Sequence, residues 1–329
     1  MSDNDKIKLY GYSERGAINA FLYDIYFKDN KEILIKFLKR IKFLNKKKIF
    51  EDITKHDIEE IQIFNEQSFS EFGDSDFVIL LEYNKDNNDN NDNNERYCIF
   101  FEAKVSTYRN NYNLKNEWKN FSENLLDKNK KFDRYTSNLF TQLLFKYFLS
   151  EGIKNLNEFE NWEQKIDNVI GIKSEKDENK DKKNDFMTIK KGNNVFAKGR
   201  DLETRKIGKN GIVLKAVKKI KEFMNDSKNY FFVGILPNTE NDSNTIFSNY
   251  SDGVNKILNN PNLDFKNNIG FTSFEALYEL YEDKNCLFPK TCVYNTEEDG
   301  KEKIKSQIFT DNQKLEKYKT FLKKVLEKR

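Results

Sequence analysis

Histidine, cysteine and proline are scarce in this sequence of 329 residues, which has one His, three Cys and three Pro. A Ser-His-Asp or Cys-His catalytic set would need His56, the single histidine. The charged neighbours of His56, Lys55 and Asp57, predict that its side chain faces solvent instead. An odd number of widely spaced cysteines argues against a disulfide framework. Cys286 and Cys292 could approach each other, but no further Cys or His completes a zinc set with them.

Long apolar runs and a strong net charge are also absent. No run approaches the length of a membrane-spanning helix, and residues 1–5 lack the apolar core of a signal peptide. We therefore expect a soluble, cytoplasmic protein with no membrane partner. The net charge is only +3, so any surface for nucleic acid has to be local.

Two apolar, β-favouring runs stand out, at 77–81 and 97–101, on either side of an Asn/Asp-rich spacer at 84–95. This pattern predicts a β-hairpin. The spacer is of low complexity and predicts a flexible insertion. It lacks the Gly and the terminal Glu that a calcium loop of this kind requires.

Acidic residues stand at one end of this hairpin. Asp76 precedes the first run, whereas Glu102 and Lys104 follow the second. Residues two apart on a strand face the same side, so Glu102 and Lys104 project together and the hairpin can bring Asp76 beside them. Two carboxylates and one amine can hold a hard divalent cation and manage a hydrolytic water. Asp74 is the rival to Asp76, which is preferred because it adjoins the apolar run.

Periodic patterns predict further elements around the hairpin. The predicted helices cover 11–29, 31–44, 131–150, 211–226, 273–281 and 311–328, and the predicted strands cover 58–70, 229–236 and 269–272. Gly152 is expected to end the helix over 131–150. We expect one domain over 1–329, with flexible insertions near 84–95 and 173–200.

This order of elements, with Asp76 followed by Glu102-Ala103-Lys104, resembles the PD-(D/E)xK nuclease superfamily. The acids are 102 − 76 = 26 residues apart, and the spacer accounts for the length. Ser75 stands where the family usually has Pro, a position that supplies no ligand. The resemblance covers 11–150 and, less closely, 229–281. It implies an α/β (α+β) fold in which helices flank a central mixed β-sheet, a restriction-endonuclease-like core with helical and loop insertions.

The resemblance also implies roles for the residues at the site. Asp76, Glu102 and the backbone carbonyl of Ala103 would bind Mg²⁺ or Mn²⁺, and Lys104 would orient or deprotonate a water. Glu14 is similar to the N-terminal helix acid of several branches and would be an outer ligand. The alternatives are a surface ion pair at Glu102 and Lys104 and a helix-end charge at Glu14.

The helix over 131–150 carries a polar stripe. Gln142 and Lys146 are four residues apart and share a face. The stripe is similar to the Gln-x-x-x-Tyr helix of exonuclease-like members. Tyr147 lies one residue further from Gln142 than the Tyr of that pattern does, so Lys146 is the other candidate for the Tyr position. Gln142 would then help to place water or phosphate, and Lys146 and Tyr147 would contact nucleic acid.

A basic segment containing Lys198 and Arg200 also could contact phosphates, or it could be a solvated loop. The predicted function is metal-dependent hydrolysis of phosphodiester bonds in nucleic acid, with DNA the favoured substrate. One alternative is an inactive nuclease-like module that binds DNA or a protein partner; the presence of all three motif residues argues against it. Another, a sugar- or nucleotide-binding protein, lacks a Gly-rich phosphate loop.

Overall fold

A computed structural model describes most of the regular elements of the chain. The described residues are 14–27, 31–45, 49–69, 72–84, 94–105, 112–126, 137–154, 190–191, 194–195, 211–237, 242–257, 265–283, 286–291, 293–298 and 301–306. The predicted helix at 311–328, Cys292, and the positions of Lys198 and Arg200 lie outside these ranges.

The strands form one central sheet and two small hairpins. In chain order they are β1 (Lys42–Phe43), β2 (Ile58–Ser68), β3 (Asp74–Asn84), β4 (Asn94–Ala103), β5 (Lys190–Lys191), β6 (Asn194–Val195), β7 (Tyr230–Leu236), β8 (Ile269–Ser273), β9 (Val293–Glu298) and β10 (Lys301–Ser306). The central sheet has six strands in the order β1-β8-β7-β4-β3-β2. β2, β3 and β4 are antiparallel neighbours, β4, β7 and β8 run parallel, and β1 is antiparallel to β8. The expected mixed sheet is therefore confirmed.

Helices cover both faces of this sheet. The described helices are α1 (Glu14–Phe27), α2 (Lys31–Lys39), α3 (Leu114–Leu126), α4 (Leu139–Lys154), α5 (Gly211–Met224), α6 (Ser243–Ile257), α7 (Phe265–Asn268), α8 (Phe274–Glu279) and α9 (Leu287–Thr291). Residues of α3, α4, α5, α6 and α7 belong to one apolar core, and those of α1, α2, α8 and α9 belong to the other. None of the helices among the described residues is long and apolar enough to cross a membrane.

The central strands are apolar on both sides because each side meets a core. Val78 and Leu80 of β3 point into the α4 core, and Phe77 and Ile79 point into the α1 core. β4 alternates in the same way, and all seven residues of β7 are buried. Continuous apolar runs are what strands covered on both faces require.

Several boundaries differ from the prediction. The second helix ends at Lys39 rather than at 44, because Lys42–Phe43 pairs with β8 instead. Gly152 does not end α4: the helix continues to Lys154, since Ile153 gives its last turn a fully buried contact. β3 and β4 also extend into the predicted spacer, where Asn84 pairs with Asn94.

The sequence pattern missed α3 (Leu114–Leu126) and α9 (Leu287–Thr291), which lie in stretches to which no element was assigned. Residues 238–268 read as loops with one short helix, whereas α6 (Ser243–Ile257) in that stretch has 15 residues. His56 is exposed, as predicted, and Cys286 is buried. Most of the predicted insertion near 173–200 lies outside the described residues.

Candidate active site

The central sheet opens between β3 and β4 at one end. These strands stay paired from Asn84 and Asn94 to Phe77 and Phe101, where their ladder stops. Beyond that point β3 remains paired with β2, and β4 remains paired with β7 as far as Ala103. Two strands that keep their outer neighbours but lose each other leave an opening between them, and the predicted acids lie there.

The side chains of Ser75 and Asp76 bridge this opening. Ser75 Oγ, fully buried, lies 3.1 Å from the carbonyl oxygen of Phe101 and 3.2 Å from that of Phe77, and donates toward them. Asp76 Oδ2 accepts a hydrogen bond from the backbone N–H of Ala103 at 2.6 Å. Asp74, the rival acid, is exposed. The structure therefore places Asp76, and not Asp74, against β4.

Glu102 lies inside the protein on the α4 side of the sheet. Its side chain is 1% exposed, and its Oε1 atom is 3.1 Å from Nζ of Lys146, which is itself 0% exposed. The contact is an ion pair without a well-aligned hydrogen bond. Burial raises the pKa of Glu102 to about 7. The charge of Lys146 lowers this pKa, and the charge of Asp76 raises it. Glu102 and Asp76 are thus close enough to feel each other's charge.

Lys146 and Tyr147 lie in the interior, so burial keeps both from facing a nucleic-acid partner. Lys146 Nζ donates hydrogen bonds to the carbonyl oxygens of Phe72 at 2.9 Å and Asp74 at 3.0 Å. Tyr147 is 6% exposed and packs against the rings of its neighbours in the α4 core. The predicted contacts of these two side chains with nucleic acid therefore do not fit their positions.

Glu14 and Lys104 meet at the edge of the opening. Lys104 N–H donates to the Ile235 carbonyl at 2.8 Å, which continues the parallel ladder beyond Ala103. Glu14, the first residue of α1, accepts from the Val105 N–H at 3.2 Å, and its Oε1 lies 4.0 Å from Lys104 Nζ. Their side chains are 28% and 14% exposed, respectively. The structure thus brings Glu14 to the predicted site.

The charges of these groups shift one another's pKa values. Burial raises the pKa of Glu14 to about 7, while Lys104 lowers it and the charge of Asp76 raises it further. Burial also raises the pKa of Asp76, opposed first by the Ala103 N–H and then by Lys104 and Lys146. Three carboxyl groups with raised pKa beside two lysines are typical of functional sites.

Two further side chains are related to the site, Gln142 by its helical spacing from Lys146 and Glu117 by the charge of Lys104. Gln142 lies one turn before Lys146 on α4, and its Oε1 atom is buried with no hydrogen-bond partner among the described residues. Glu117 of α3 accepts from the Leu139 N–H at 2.9 Å, and Lys104 acts on its pKa, which burial raises. Sequence reasoning missed Glu117 because no motif marks it and α3 was not predicted.

No group of three or more His, Cys, Asp or Glu side chains forms a ready metal cluster within the described ranges. The oxygen donors at the opening are the carboxylates of Asp76 and Glu102, with Glu102 Oε1 buried and lacking an aligned hydrogen bond. The N–H and C=O of one strand residue face the same neighbouring strand, so the Ala103 carbonyl is directed to the Asp76 side. Mg²⁺ keeps several waters and binds proteins through one or two carboxylates, and this donor set fits it.

Comparisons of the chain with protein-family models, with curated proteins and with solved structures find no match. The restriction-endonuclease-like core remains a resemblance carried by the motif residues. The functional interpretation therefore rests on the geometry at the β3–β4 opening.

Proposed function

We propose that this protein is a metal-dependent nuclease that hydrolyses phosphodiester bonds of nucleic acid, with DNA as the favoured substrate and a PD-(D/E)xK-like core. One observation carries the proposal: Asp76, Glu102, Lys104 and Glu14, which are spread over 91 positions of the sequence, converge where β3 and β4 separate. Glu102 is buried and the other three side chains are partly buried, which distinguishes this group from a chance pair of surface charges.

Asp76 and Glu102 would hold Mg²⁺ or Mn²⁺ together with the Ala103 carbonyl. Such an ion polarises the scissile phosphate and lowers the pKa of a water. The Ala103 N–H holds the carboxylate of Asp76 on the β4 side. Lys146 holds Glu102 from the α4 side. The two carboxylates are thus fixed by contacts that do not depend on substrate, which is the preorganisation a catalytic site needs.

Glu14 and Lys104 would serve proton transfer and charge stabilisation. A carboxyl group with a pKa of about 7 can accept a proton from a water near neutral pH. Lys104, 14% exposed and 4.0 Å from Glu14, can stabilise the charge that builds on the phosphate oxygens. Gln142, with its unpaired Oε1 atom, would help to orient water or phosphate.

The second candidate function is a nuclease-like module that binds nucleic acid or a protein without cleaving it. One observation favours it: Glu102 already has a cationic partner in Lys146 at 3.1 Å. A carboxylate whose charge is already neutralised by a buried lysine gains less from binding a metal ion. Under this alternative, the site would bind little or no Mg²⁺ and the chain would leave every substrate intact.

A cleavage assay separates the two candidates. Single- and double-stranded DNA and RNA are incubated with the wild-type protein in Mg²⁺, Mn²⁺ or EDTA, beside Glu102→Ala and Lys104→Ala. We expect metal-dependent cleavage by the wild type and a loss of about 100-fold or more in each variant. Glu222→Ala and Lys218→Ala, which change an exposed pair on α5, are the matched controls and should cleave normally. Equal activity in all five proteins would refute the proposed site, and metal-dependent cleavage by none would favour the binding module.

A further inference from the structure

The ammonium of Lys146 is surrounded by oxygen atoms from separate parts of the chain. Nζ lies 2.9 Å from the Phe72 carbonyl, 3.0 Å from the Asp74 carbonyl and 3.1 Å from Glu102 Oε1. The Phe72 carbonyl comes from the turn before β3, the Asp74 carbonyl comes from the first residue of β3, and the carboxylate comes from β4. Gly73, between the carbonyls, has φ +77°, and a Cβ atom there would lie 3.5 Å from Nζ. The turn thus wraps closely around the charge.

Packing alone does not account for a lysine at this position. The side chain is 0% exposed and reaches inward from a helix whose neighbouring residues belong to an apolar core. A methionine would fill a similar volume without the cost of burying a charge. What the lysine adds is a positive charge among three oxygen atoms, which is also what a bound cation would provide.

We propose that the ammonium group of Lys146 occupies one cation position of the site and so acts as a resident cation. The site then binds a single divalent ion, at Asp76 and Glu102. This inference rests on the proposed metal-dependent function and specifies how many ions the site takes. It also gives Lys146 a positioning role in place of the predicted contact with nucleic acid.

The donors present support one ion rather than two. Two divalent ions usually share a larger set of carboxylates, and no three acidic, His or Cys side chains cluster for a metal among the described residues.

The number of bound ions tests this inference directly. Isothermal titration calorimetry with Mn²⁺, supported by electron paramagnetic resonance of free Mn²⁺, should count one ion on the wild-type chain and none at this site in Asp76→Asn. Two ions that are both lost in Asp76→Asn would overturn the resident-cation proposal and leave the nuclease proposal standing. If no ion binds, both the resident-cation proposal and the nuclease proposal are overturned. The cleavage assay in Mg²⁺ and EDTA would then show the failure of the nuclease proposal independently.

A charge-removing variant gives a second readout that does not depend on activity. Lys146→Met removes the positive charge 3.1 Å from Glu102 and should bind Mn²⁺ about tenfold or more tightly than the wild type. Lys154→Met, on the same helix but 23% exposed and paired with Glu151, is the control and should bind as the wild type does. Unchanged or weaker binding by folded Lys146→Met would overturn the proposal. If that variant does not fold, the ion count on the wild type decides alone.

Discussion

The carboxylate of Asp76 accepts the backbone N–H of Ala103 at 2.6 Å, at the point where β3 and β4 stop pairing. In a regular antiparallel ladder, a backbone carbonyl of β3 would accept that N–H. Because a side chain takes this place, the strands can separate without leaving a buried N–H unsatisfied, and the carboxylate is held where its charge acts on Glu102. The bond that maintains the sheet also positions the acid.

Ser75 is expected to stabilise the opening. Its hydroxyl lies within hydrogen-bonding distance of the buried Phe101 carbonyl at 3.1 Å. Ser75→Ala should lower the free energy of unfolding by about 1–3 kcal/mol, because a buried carbonyl loses its side-chain partner. Urea denaturation followed by circular dichroism measures the change. Ser122→Ala, which removes a hydroxyl bound to the exposed Lys119 carbonyl, should cost much less, and equal losses would contradict this role.

Glu14 is expected to control the pH dependence of cleavage. A base with a pKa of about 7 gives a rate that rises through neutral pH. Glu14→Gln should lower kcat about 100-fold at pH 7.5 and remove that rise, as measured by initial rates from pH 5.5 to 9. Glu222→Gln replaces an exposed carboxylate on α5 and should keep the wild-type profile. A variant of Glu14 with the normal profile would assign the titration to another group.

The metal-free protein should become less stable as the pH rises. The folded-state pKa of Glu14 and that of Glu102 are each about 7, against ordinary values of 4.5, so the folded state binds more protons than the unfolded state in this interval. The free energy of unfolding should therefore fall by on the order of 1–3 kcal/mol between pH 4.5 and 7.5. The stabilisation by the two protonated carboxyl groups is fully present only below pH 4.5.

Urea denaturation in EDTA at several pH values measures that slope. Glu14→Gln should make the slope shallower, since the amide does not titrate and only the contribution of Glu102 remains. Added Mg²⁺ should restore stability at pH 7.5, where the carboxylates are ionised and able to bind it. A metal-free protein whose stability rises over this interval would contradict the burial of these two groups.

The sequence patterns predict the hairpin and its acids well, because those features are local. A strand pattern with a period of two places Glu102 and Lys104 on one face, and apolar runs mark β3, β4 and β7. The boundaries that failed depend on partners distant in sequence. Lys42–Phe43 becomes a strand only because β8 lies beside it, about 230 residues further along the chain.

The environment of the site residues was beyond sequence reasoning. Lys146 was expected to face nucleic acid, whereas the fold turns it inward onto Glu102. Its helical spacing from Gln142 predicts a shared face but does not say what that face meets. Ser75 likewise departs from the family pattern, and its hydroxyl acquires a role only once β3 and β4 separate. Contacts between residues of different elements determine both outcomes.

Paired substitutions two residues apart test whether Asp76 belongs to a metal-dependent catalytic site. Asp76→Asn and Asp74→Asn each replace one carboxylate by an amide on the same strand, but only Asp76 lies against β4, whereas Asp74 is exposed. The measurement is the initial rate of DNA cleavage in Mg²⁺ for the wild type and both variants. We expect a loss of about 100-fold or more for Asp76→Asn and a normal rate for Asp74→Asn. Equal rates in the two variants, or a loss confined to Asp74→Asn, would contradict this expectation.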